Sequence, residues 1–365
     1  MEIIGAISYP ATALLKVEPL KLDDPRDDEV LVKIVATGLC HTDIAVHNGL
    51  IPVPAPVVLG HEGAGVVVRT GKNVRRVQTG DRVVLSLASC GHCRNCTSGR
   101  PTYCLEHQSL NWRVQRADGS VSLHAAGKAV HSHFFGQSSF AQYATVNASS
   151  VVKVPAEAPL EYLGPVACGI MTGAGAVMNS LSPPVGSSIA IFGVGAVGLA
   201  AVMAAQLSGC SPIIAIDIND DRLQVAKELG ATHFINPARE ELLAEINAIT
   251  NNNGVQYSVE AAGSVKVMAS AVSILAEQGC CVLTGVVGTG DTLPVDVMHL
   301  IRGRTIKGSI MGDAIPSIFI PTLVDLFTQG KFPIDKLITF YTLNEINQAI
   351  EDSQRGKCIK AVIKM

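Results

Sequence analysis

Hydrophobic and polar positions divide the chain into two regions of different texture. To about residue 165 the sequence is rich in Val, Gly and Pro, with short alternating runs at 29–38, 63–71 and 81–87. Such runs, bounded by turn residues, are typical of strands joined by tight turns. The first region is therefore predicted to be all-β.

The second region begins near residue 170, where apolar strand-like runs alternate with helical segments. Alternating strands and helices predict a doubly wound parallel sheet, and hence an α/β chain overall. A tail from about residue 312 predicts two helices and a final strand. The six runs of the sheet are 188–193, 212–218, 233–237, 257–263, 280–286 and 305–311, and the tail elements lie at 320–330, 344–356 and 358–365.

Composition narrows the function classes. A length of 365 residues predicts two domains, and 48% apolar with 16% charged residues describes a well-filled core. A net charge of −3 without a basic run argues against nucleic acid as a partner. The N-terminal segment has no basic start followed by a long apolar stretch, and no run is long enough to span a bilayer. We therefore expect a cytoplasmic protein without membrane contact.

Four cysteines within fifteen residues form the most specific motif. Cys90, Cys93, Cys96 and Cys104 have the spacing C-x2-C-x2-C-x7-C. Four thiolates in one short loop suit a closed tetrahedral zinc site. Disulfides are disfavoured in a large chain without an export signal, and the spacing differs from the common ferredoxin runs of iron–sulfur proteins. Residues 90–104, the four-cysteine lobe, are predicted to hold a structural zinc.

A glycine-rich turn follows the first strand of the second region. Gly193, Gly195 and Gly198 form G-x-G-x-x-G between an apolar strand and a helix, and Asp217 ends the next strand. Here the glycines permit the turn, admit a pyrophosphate and let the helix pack on the strand. A carboxylate at Asp217 would accept from the ribose hydroxyls and repel a 2′-phosphate, so NAD is predicted over NADP. Arg222 could reach the same ribose. The alternative explanation of the motif is that the glycines serve only packing and that Asp217 is a solvated side chain.

Three further metal-ligating candidates lie far apart in the sequence: Cys40, His61 and Cys168. Their separation means that spacing alone does not show whether they converge. Taken singly, each cysteine is also explained as a small buried side chain.

These motifs occur in the order found in the zinc-dependent medium-chain alcohol dehydrogenases, which the chain resembles over essentially its whole length. The matching stretches include 38–43, 60–67, the four-cysteine lobe and the glycine-rich turn. Segments 134–141, 163–176 and 329–337 resemble the NAD-dependent aryl-alcohol dehydrogenases of bacteria. The resemblance implies a GroES-like all-β catalytic domain over 1–169, a Rossmann domain over 170–311, and a return to the catalytic domain over 312–365.

The resemblance also implies roles for individual residues. Cys40, His61 and Cys168 match the ligands of a catalytic zinc with one open position, which would make two Zn²⁺ per chain. Thr42 matches the hydroxyl that takes the alcohol's proton, Asp43 the carboxylate that orients His61, and Glu62 a carboxylate beside the metal. Cofactor contacts are implied at His41, Thr172, Gly193, Gly195, Val197, Gly198, Asp217, Arg222 and Lys360.

One position departs from the family. Many relatives pass the proton to a histidine three residues after the hydroxyl, where this chain has Ala45. His47 could substitute, or an exposed loop histidine could occupy that position without a role, with the proton released to water.

The resemblance implies an alcohol pocket near Ser86, Phe134, Phe135, Val286 and Ile310. Ser86 replaces a bulky aromatic residue of ethanol-preferring relatives, which would leave room for a ring. Aromatic primary alcohols such as benzyl alcohol, oxidised by hydride transfer from a zinc-bound alkoxide, are therefore the expected substrates. Allylic terpenoid alcohols, a glutathione-linked formaldehyde dehydrogenase and a non-catalytic relative are the alternatives. A homodimer or homotetramer, paired through the edge strand near 305–311, is also implied.

Overall fold

The computed structural model describes all 365 residues and contains eighteen strands and twelve α-helices. The strands are β1 Glu2–Ser8, β2 Lys16–Leu22, β3 Glu29–Gly38, β4 Val57–Val58, β5 Gly63–Thr70, β6 Arg82–Leu85, β7 Leu123–Ala125, β8 Lys128–Val130, β9 Tyr143–Asn147, β10 Val151–Lys153, β11 Ile189–Phe192, β12 Ile213–Ile216, β13 His233–Ile235, β14 Val255–Glu260, β15 Leu275–Leu283, β16 Thr305–Gly308, β17 Ile338–Thr342 and β18 Lys360–Lys364. The helices are α1 His41–His47, α2 Arg94–Thr97, α3 His107–Asn111, α4 Leu160–Leu163, α5 Gly169–Gly175, α6 Ala196–Leu207, α7 Asp220–Glu228, α8 Leu242–Thr250, α9 Val265–Ser273, α10 Val297–Ile301, α11 Pro316–Thr328 and α12 Ile346–Gln354.

Two compact units divide the chain. Unit 1 comprises Met1–Cys168 with Ile315–Met365, and unit 2 comprises Gly169–Ala314. Each unit has its own sheets.

Unit 1 is built from two sheets whose strands pair antiparallel, except that β17 and β18 pair in parallel. One has the order β4-β1-β2-β7-β8, and the other has the order β10-β6-β5-β3-β18-β17, with β9 also pairing with β3. Alternate residues of β3, Val30, Val32 and Ile34, fill a core with apolar residues of β5, β6, β9 and β10, as the period of two predicts. The last strand, β18, pairs antiparallel with β3 and so returns the C-terminal segment to this unit.

Unit 2 is a six-stranded parallel sheet in the order β13-β12-β11-β14-β15-β16. The order reverses between β11 and β14, which makes the carboxyl ends of these strands a topological switch point. All six predicted runs form its strands, so the α/β prediction is confirmed. The outermost strand β16 pairs only with β15 and leaves one edge of the sheet without a partner.

The helices of both units are short. No single helix is apolar and long enough to cross a membrane; Leu160–Ala167 and Gly169–Leu181 reach that length and composition only together, across a 58° bend. The predicted tail helices correspond to α11 and α12.

Candidate active site

The first part of the site lies in unit 1, where Cys40, His61, Glu62 and Cys168 converge. One ligand atom from each lies within 4.8 Å of every other. Cys40 precedes α1 in an extended conformation, and its backbone N–H donates to Asp43 Oδ2 at 3.0 Å. The start of the helix therefore fixes both a thiol and a carboxylate.

Asp43 determines the tautomer of His61. Its Oδ1 accepts from the Gly60 N–H and lies 3.0 Å from His61 Nδ1, while all three groups are buried. With Nδ1 donating to the carboxylate, Nε2 is the ring nitrogen left to bind a metal, which would displace its proton. That nitrogen is buried and has no hydrogen-bond partner, as expected for a ligand atom reserved for a metal.

The charges of these donors depend on one another. The neighbouring Cys168 thiol holds the pKa of Cys40 well below its ordinary value, against the effect of burial and with help from His61. Burial lowers the pKa of His61, but the Asp43 carboxylate and the Cys40 thiolate outweigh it and raise that pKa well above the usual value. Two cysteine sulfur atoms and an imidazole nitrogen are the donor set of a Zn²⁺ site, and we conclude that these residues fit the metal.

A buried ion pair lies beside these donors. Lys360 Nζ is 2.7 Å from Glu62 Oε1 and 2.9 Å from the Leu39 carbonyl oxygen. Burial raises the pKa of Glu62 to about 7 despite the opposing charge of Lys360. Gly38 leaves the space for this carboxylate, because a Cβ there would lie 1.9 Å from Glu62 Oε2. The ammonium group of Lys360 is bound to Glu62. Its predicted contact with a cofactor phosphate stays a prediction.

The two predicted proton-relay residues, Thr42 and His47, lie in helix α1, as does His41, which is predicted to contact the cofactor. Thr42 is half-buried, and its Oγ1 lies 3.7 Å from Cys40 Sγ, whereas His41 is exposed. His47 Nδ1 lies 2.8 Å from Ser8 Oγ, so the imidazole is attached to β1. Its Nε2 is buried without a partner, and its part in a relay stays a prediction.

The four-cysteine lobe forms a second metal-binding group in unit 1. Its sulfur atoms lie within 4.8 Å of one another, and none forms a disulfide. The Cys93–Cys96 and Cys90–Cys96 sulfur distances are 3.5 and 3.9 Å, close to the roughly 3.8 Å edge of a zinc–thiolate tetrahedron. The backbone N–H groups of Leu105 and Cys96 lower the pKa of Cys93 to about 6. The lobe therefore fits a closed zinc site.

The predicted pocket residues of unit 1 are mostly buried. Ser86 is 1% exposed and donates to the Ala167 carbonyl oxygen at 3.1 Å. Phe134 and Phe135 are 0% and 7% exposed, and both rings contact the His61 imidazole. Their role as pocket walls stays a prediction.

Sequence reasoning missed Gln137. Its Nε2 donates to the His61 and Leu85 carbonyl oxygens at 2.9 and 3.0 Å, and its Oε1 accepts from the Gly63 N–H at 3.0 Å. This buried amide therefore joins the loop of His61 to two strands. Its only sequence signal is its place in the segment 134–141.

Unit 2 carries the glycine-rich turn at the switch point. Gly193 has φ of +80°, and a Cβ there would lie 2.8 Å from Ala262, so only glycine suits this turn. A Cβ on Gly198 would lie 1.9 Å from the Gly193 carbonyl oxygen, which shows how closely α6 approaches β11. Gly195 precedes α6 without a side-chain cap, so the first N–H groups of this helix can bind a phosphate.

Asp217 follows β12 and is 8% exposed. Its Oδ2 accepts from the Val194 N–H at 2.8 Å, and its Oδ1 accepts from the Asn219 N–H at 2.9 Å. The carboxylate is thus attached to the glycine-rich turn. Arg222 lies in the first turn of α7, and its Nε is buried without a partner. The other predicted cofactor contacts of this unit are Thr172 in α5 and Val197 in α6. Val286 and Ile310, which are predicted to line the alcohol pocket, have exposed side chains.

Glu260 is a second residue that the sequence did not single out. It ends β14 beside Phe192 of β11, is fully buried, and accepts from the Ala262 and Gly263 N–H groups at 3.0 and 2.8 Å. Burial raises its pKa. Because Ala262 contacts Gly193, this carboxyl supports the turn that carries the glycine motif.

Comparisons with known proteins agree with this geometry. The model of the alcohol dehydrogenase GroES-like domain matches residues 26–156, and that of the zinc-binding dehydrogenases matches residues 196–329. A geraniol dehydrogenase of Castellaniella defragrans is 43% identical over 352 residues, which cover 96% of this chain and 94% of the relative.

Two solved structures are similar over the whole chain. Benzyl alcohol dehydrogenase of Acinetobacter calcoaceticus has 44% identity and a TM-score of 0.97, covering 100% of this chain and 99% of that one. An alcohol dehydrogenase zinc-binding domain protein of Burkholderia ambifaria has 47% identity and a TM-score of 0.98, with the same coverage.

Proposed function

Because this chain belongs to the zinc-dependent medium-chain alcohol dehydrogenases, we propose that it oxidises aromatic primary alcohols of the benzyl alcohol type to aldehydes with NAD. The observation that carries the proposal is the buried, unpartnered Nε2 of His61 between two thiols. A site without a metal would leave that nitrogen desolvated for no gain.

Cys40, His61 and Cys168 would hold the catalytic zinc. When bound, Zn²⁺ supplies a Lewis acid that favours deprotonation of an alcohol hydroxyl at neutral pH. Asp43 keeps the proton of His61 on Nδ1, so that Nε2 remains a ligand. The Thr42 hydroxyl, beside Cys40, would accept the alcohol's proton and pass it outward.

The second zinc would occupy the four-cysteine lobe. Its near-tetrahedral sulfur distances support a site in which all four positions are taken by protein ligands, and such a site contributes to folding rather than catalysis. Two zinc ions per chain are therefore proposed.

NAD is proposed over NADP because of Asp217. Its buried carboxylate is fixed to the glycine-rich turn by the Val194 N–H. A 2′-phosphate at the same ribose would meet this negative charge at short range, whereas two free hydroxyls would donate to it.

The substrate class rests on the relatives. A benzyl alcohol dehydrogenase and a geraniol dehydrogenase are similarly close, at 44% and 43% identity. Allylic alcohols such as geraniol are therefore the second candidate, since both kinds carry the carbinol beside an unsaturated carbon. The glutathione-linked alternative would need basic residues at the mouth of the pocket. Of the two arginines in the loop after the four-cysteine lobe, Arg113 and Arg116, the second is buried and bound to Glu29, which does not favour this alternative.

The test combines metal content with initial rates. We expect two zinc ions per chain, fast NAD reduction with benzyl alcohol or geraniol, and slow reduction with ethanol or with NADP. His61→Ala should retain one zinc ion and lose turnover. His233→Ala, at an exposed position of unit 2, should keep both zinc ions and wild-type turnover. Ethanol as the best substrate would contradict the proposed class, and full activity of His61→Ala would contradict the metal site.

We also propose that the chain forms a homodimer through β16, with a tetramer as the larger alternative. The free edge of β16 offers unpaired backbone groups, and nearby α10 exposes Val297, Met298 and Ile301 by 64–67%. Ile301→Asp should lower the mass measured by light scattering, and Val185→Asp, at an exposed position elsewhere in unit 2, should not. An unchanged mass in Ile301→Asp would contradict this interface.

A further inference from the structure

Three aromatic side chains of unit 1 form a continuous cluster against the proposed zinc ligand His61. Phe135 stacks on the imidazole, with ring centroids 4.6 Å apart and planes 26° from parallel. Phe134 meets the same imidazole edge-on at 5.5 Å and 84°. Trp112 packs against Phe134 at 5.8 Å and Phe135 at 5.0 Å. We call Trp112, Phe134 and Phe135 the aromatic bridge.

The other end of the aromatic bridge is attached to the four-cysteine lobe. Helix α3 begins at His107, whose N–H donates to the carbonyl oxygen of Cys104 at 2.9 Å. The indole N–H of Trp112 donates to His107 Nε2 at 3.2 Å. Asn111, fully buried, bonds both the N–H and the carbonyl of Ala88, two residues before Cys90. Both ends of the lobe are thus joined to α3, and Trp112 is the residue that directly follows this helix.

The backbone around the phenylalanines adopts conformations that side chains usually avoid. His133 has φ of +64° and Phe135 has φ of +51°, both in the left-handed region. Such residues cost free energy and persist where the surroundings hold them in place. Here Ser138 Oγ accepts from the Phe134 N–H at 3.0 Å and donates to the Val58 carbonyl oxygen at 2.6 Å. The strained turn has the effect of placing the Phe135 ring on His61.

The stack supplies a restraint that Asp43 alone does not. The Asp43 carboxylate holds one atom of the imidazole, Nδ1, at 3.0 Å. A single hydrogen bond leaves the ring free to tilt about that contact, and a tilt would turn Nε2 away from the thiols. Phe135 on the ring face and Phe134 at its edge oppose this motion through packing.

We propose that Phe135 is a positioning residue for His61, and that the aromatic bridge couples metal retention at the His61 site to the folded state of the four-cysteine lobe. When the lobe holds its metal, α3 and Trp112 are fixed and the stack is held closed. When the lobe loses its metal, Trp112 is released and the His61 site retains its own zinc less well. This inference rests on the two zinc sites of the proposed function.

The experiment measures zinc release from the holoprotein into a colorimetric chelator. Phe135→Leu keeps an apolar side chain and the same left-handed backbone requirement but removes the ring. Zinc release from the His61 site is the kinetic phase that His61→Ala lacks. This phase should be about 10-fold faster in Phe135→Leu than in wild type. Tenfold is the lower end of the effect expected when a residue that contacts a metal ligand is lost. Phe332→Leu, a fully buried phenylalanine elsewhere in unit 1, should release zinc at the wild-type rate.

A second measurement uses the only tryptophan of the chain, Trp112. Cys93→Ser should weaken the lobe, shift the Trp112 emission and accelerate release of the remaining zinc. Trp112→Phe, which keeps a ring but not the bond to His107, should give the same acceleration without changing the lobe ligands.

The outcomes separate this inference from the function on which it rests. A wild-type protein with fewer than two zinc ions would overturn the proposed metal sites themselves. Two zinc ions, with wild-type release from the His61 site in Phe135→Leu, Trp112→Phe and Cys93→Ser, would overturn the coupling and leave the function intact.

Discussion

Replacement of Glu29 by Gln should change the acid stability of the protein. Glu29 is 8% exposed and accepts two hydrogen bonds from Arg116, Nε to Oε1 at 2.7 Å and Nη2 to Oε2 at 2.9 Å. Its Oε1 is also 3.0 Å from His133 Nε2, and its Oε2 accepts from the Arg26 N–H at 2.8 Å. Although burial opposes the charged form, these partners lower the pKa of Glu29 from 4.5 to about 2.

The magnitude follows from proton linkage. A pKa depressed in the folded state contributes stability above the unfolded pKa, and this contribution disappears as the pH falls towards the folded pKa. For Glu29 the window runs from about pH 4.5 to about pH 2. The contribution is about 3 kcal/mol at neutral pH, and roughly 2 kcal/mol of it is lost by pH 3.

Calorimetry at several pH values tests this reasoning. Near pH 6, the transition of unit 1 in Glu29→Gln should lie about 6–12 °C below that of wild type, since 1 kcal/mol corresponds to roughly 2–4 °C for a unit of about 200 residues. The variant leaves the Arg116 guanidinium buried without its anion. The difference from wild type should shrink as the pH falls to 3, whereas Glu2→Gln, at an exposed position of β1, should follow wild type. Loss of metal in acid affects all three proteins and cancels in the comparison. A gap that stays constant from pH 6 to pH 3 would refute the linkage argument.

Three further outcomes are expected. Lys360→Met should destabilise unit 1 by about 3–5 kcal/mol, because Glu62 stays buried without its cation. The control Lys364→Met, at the exposed end of the same strand, should cost about 1 kcal/mol or less. Equal melting temperatures of the two variants would contradict this prediction. Asp217→Gly should raise the ratio of kcat/KM for NADP to that for NAD at least tenfold, and an unchanged ratio would remove the carboxylate argument. Cys93→Ser should lower both the zinc content and the melting temperature, and normal values of both would exclude a structural metal in the lobe.

Local patterns account for what the sequence predicted well. The six strand-like runs of unit 2 form the strands of its sheet because a buried parallel strand reads as a short apolar run between turns. The cysteines of the lobe and the glycines of the turn each lie within one short segment, so their spacing already limits their geometry. Strand β17 was not predicted, because its five residues are only partly buried and show no clear alternation.

Contacts between distant segments account for what was missed. Nothing local in the sequence pairs Glu29 with Arg116, 87 residues away, or places the amide of Gln137 under His61, 76 residues away. The convergence of Cys40, His61 and Cys168 was implied by a family resemblance, not by their spacing. Such contacts arise only when strands pair and loops close, which a pattern along one segment does not encode.

The Glu62–Lys360 pair also determines the order of events during synthesis of the protein. Lys360 follows Glu62 by 298 residues, and the whole of unit 2 is encoded between them. At roughly 5–20 residues per second, a ribosome takes about 15–60 s to add the lysine after the glutamate. During that time unit 2 can fold, while the carboxyl group beside the zinc ligands has no cation. Zinc that arrives early therefore meets an unfinished site, and stable loading should follow completion of the chain.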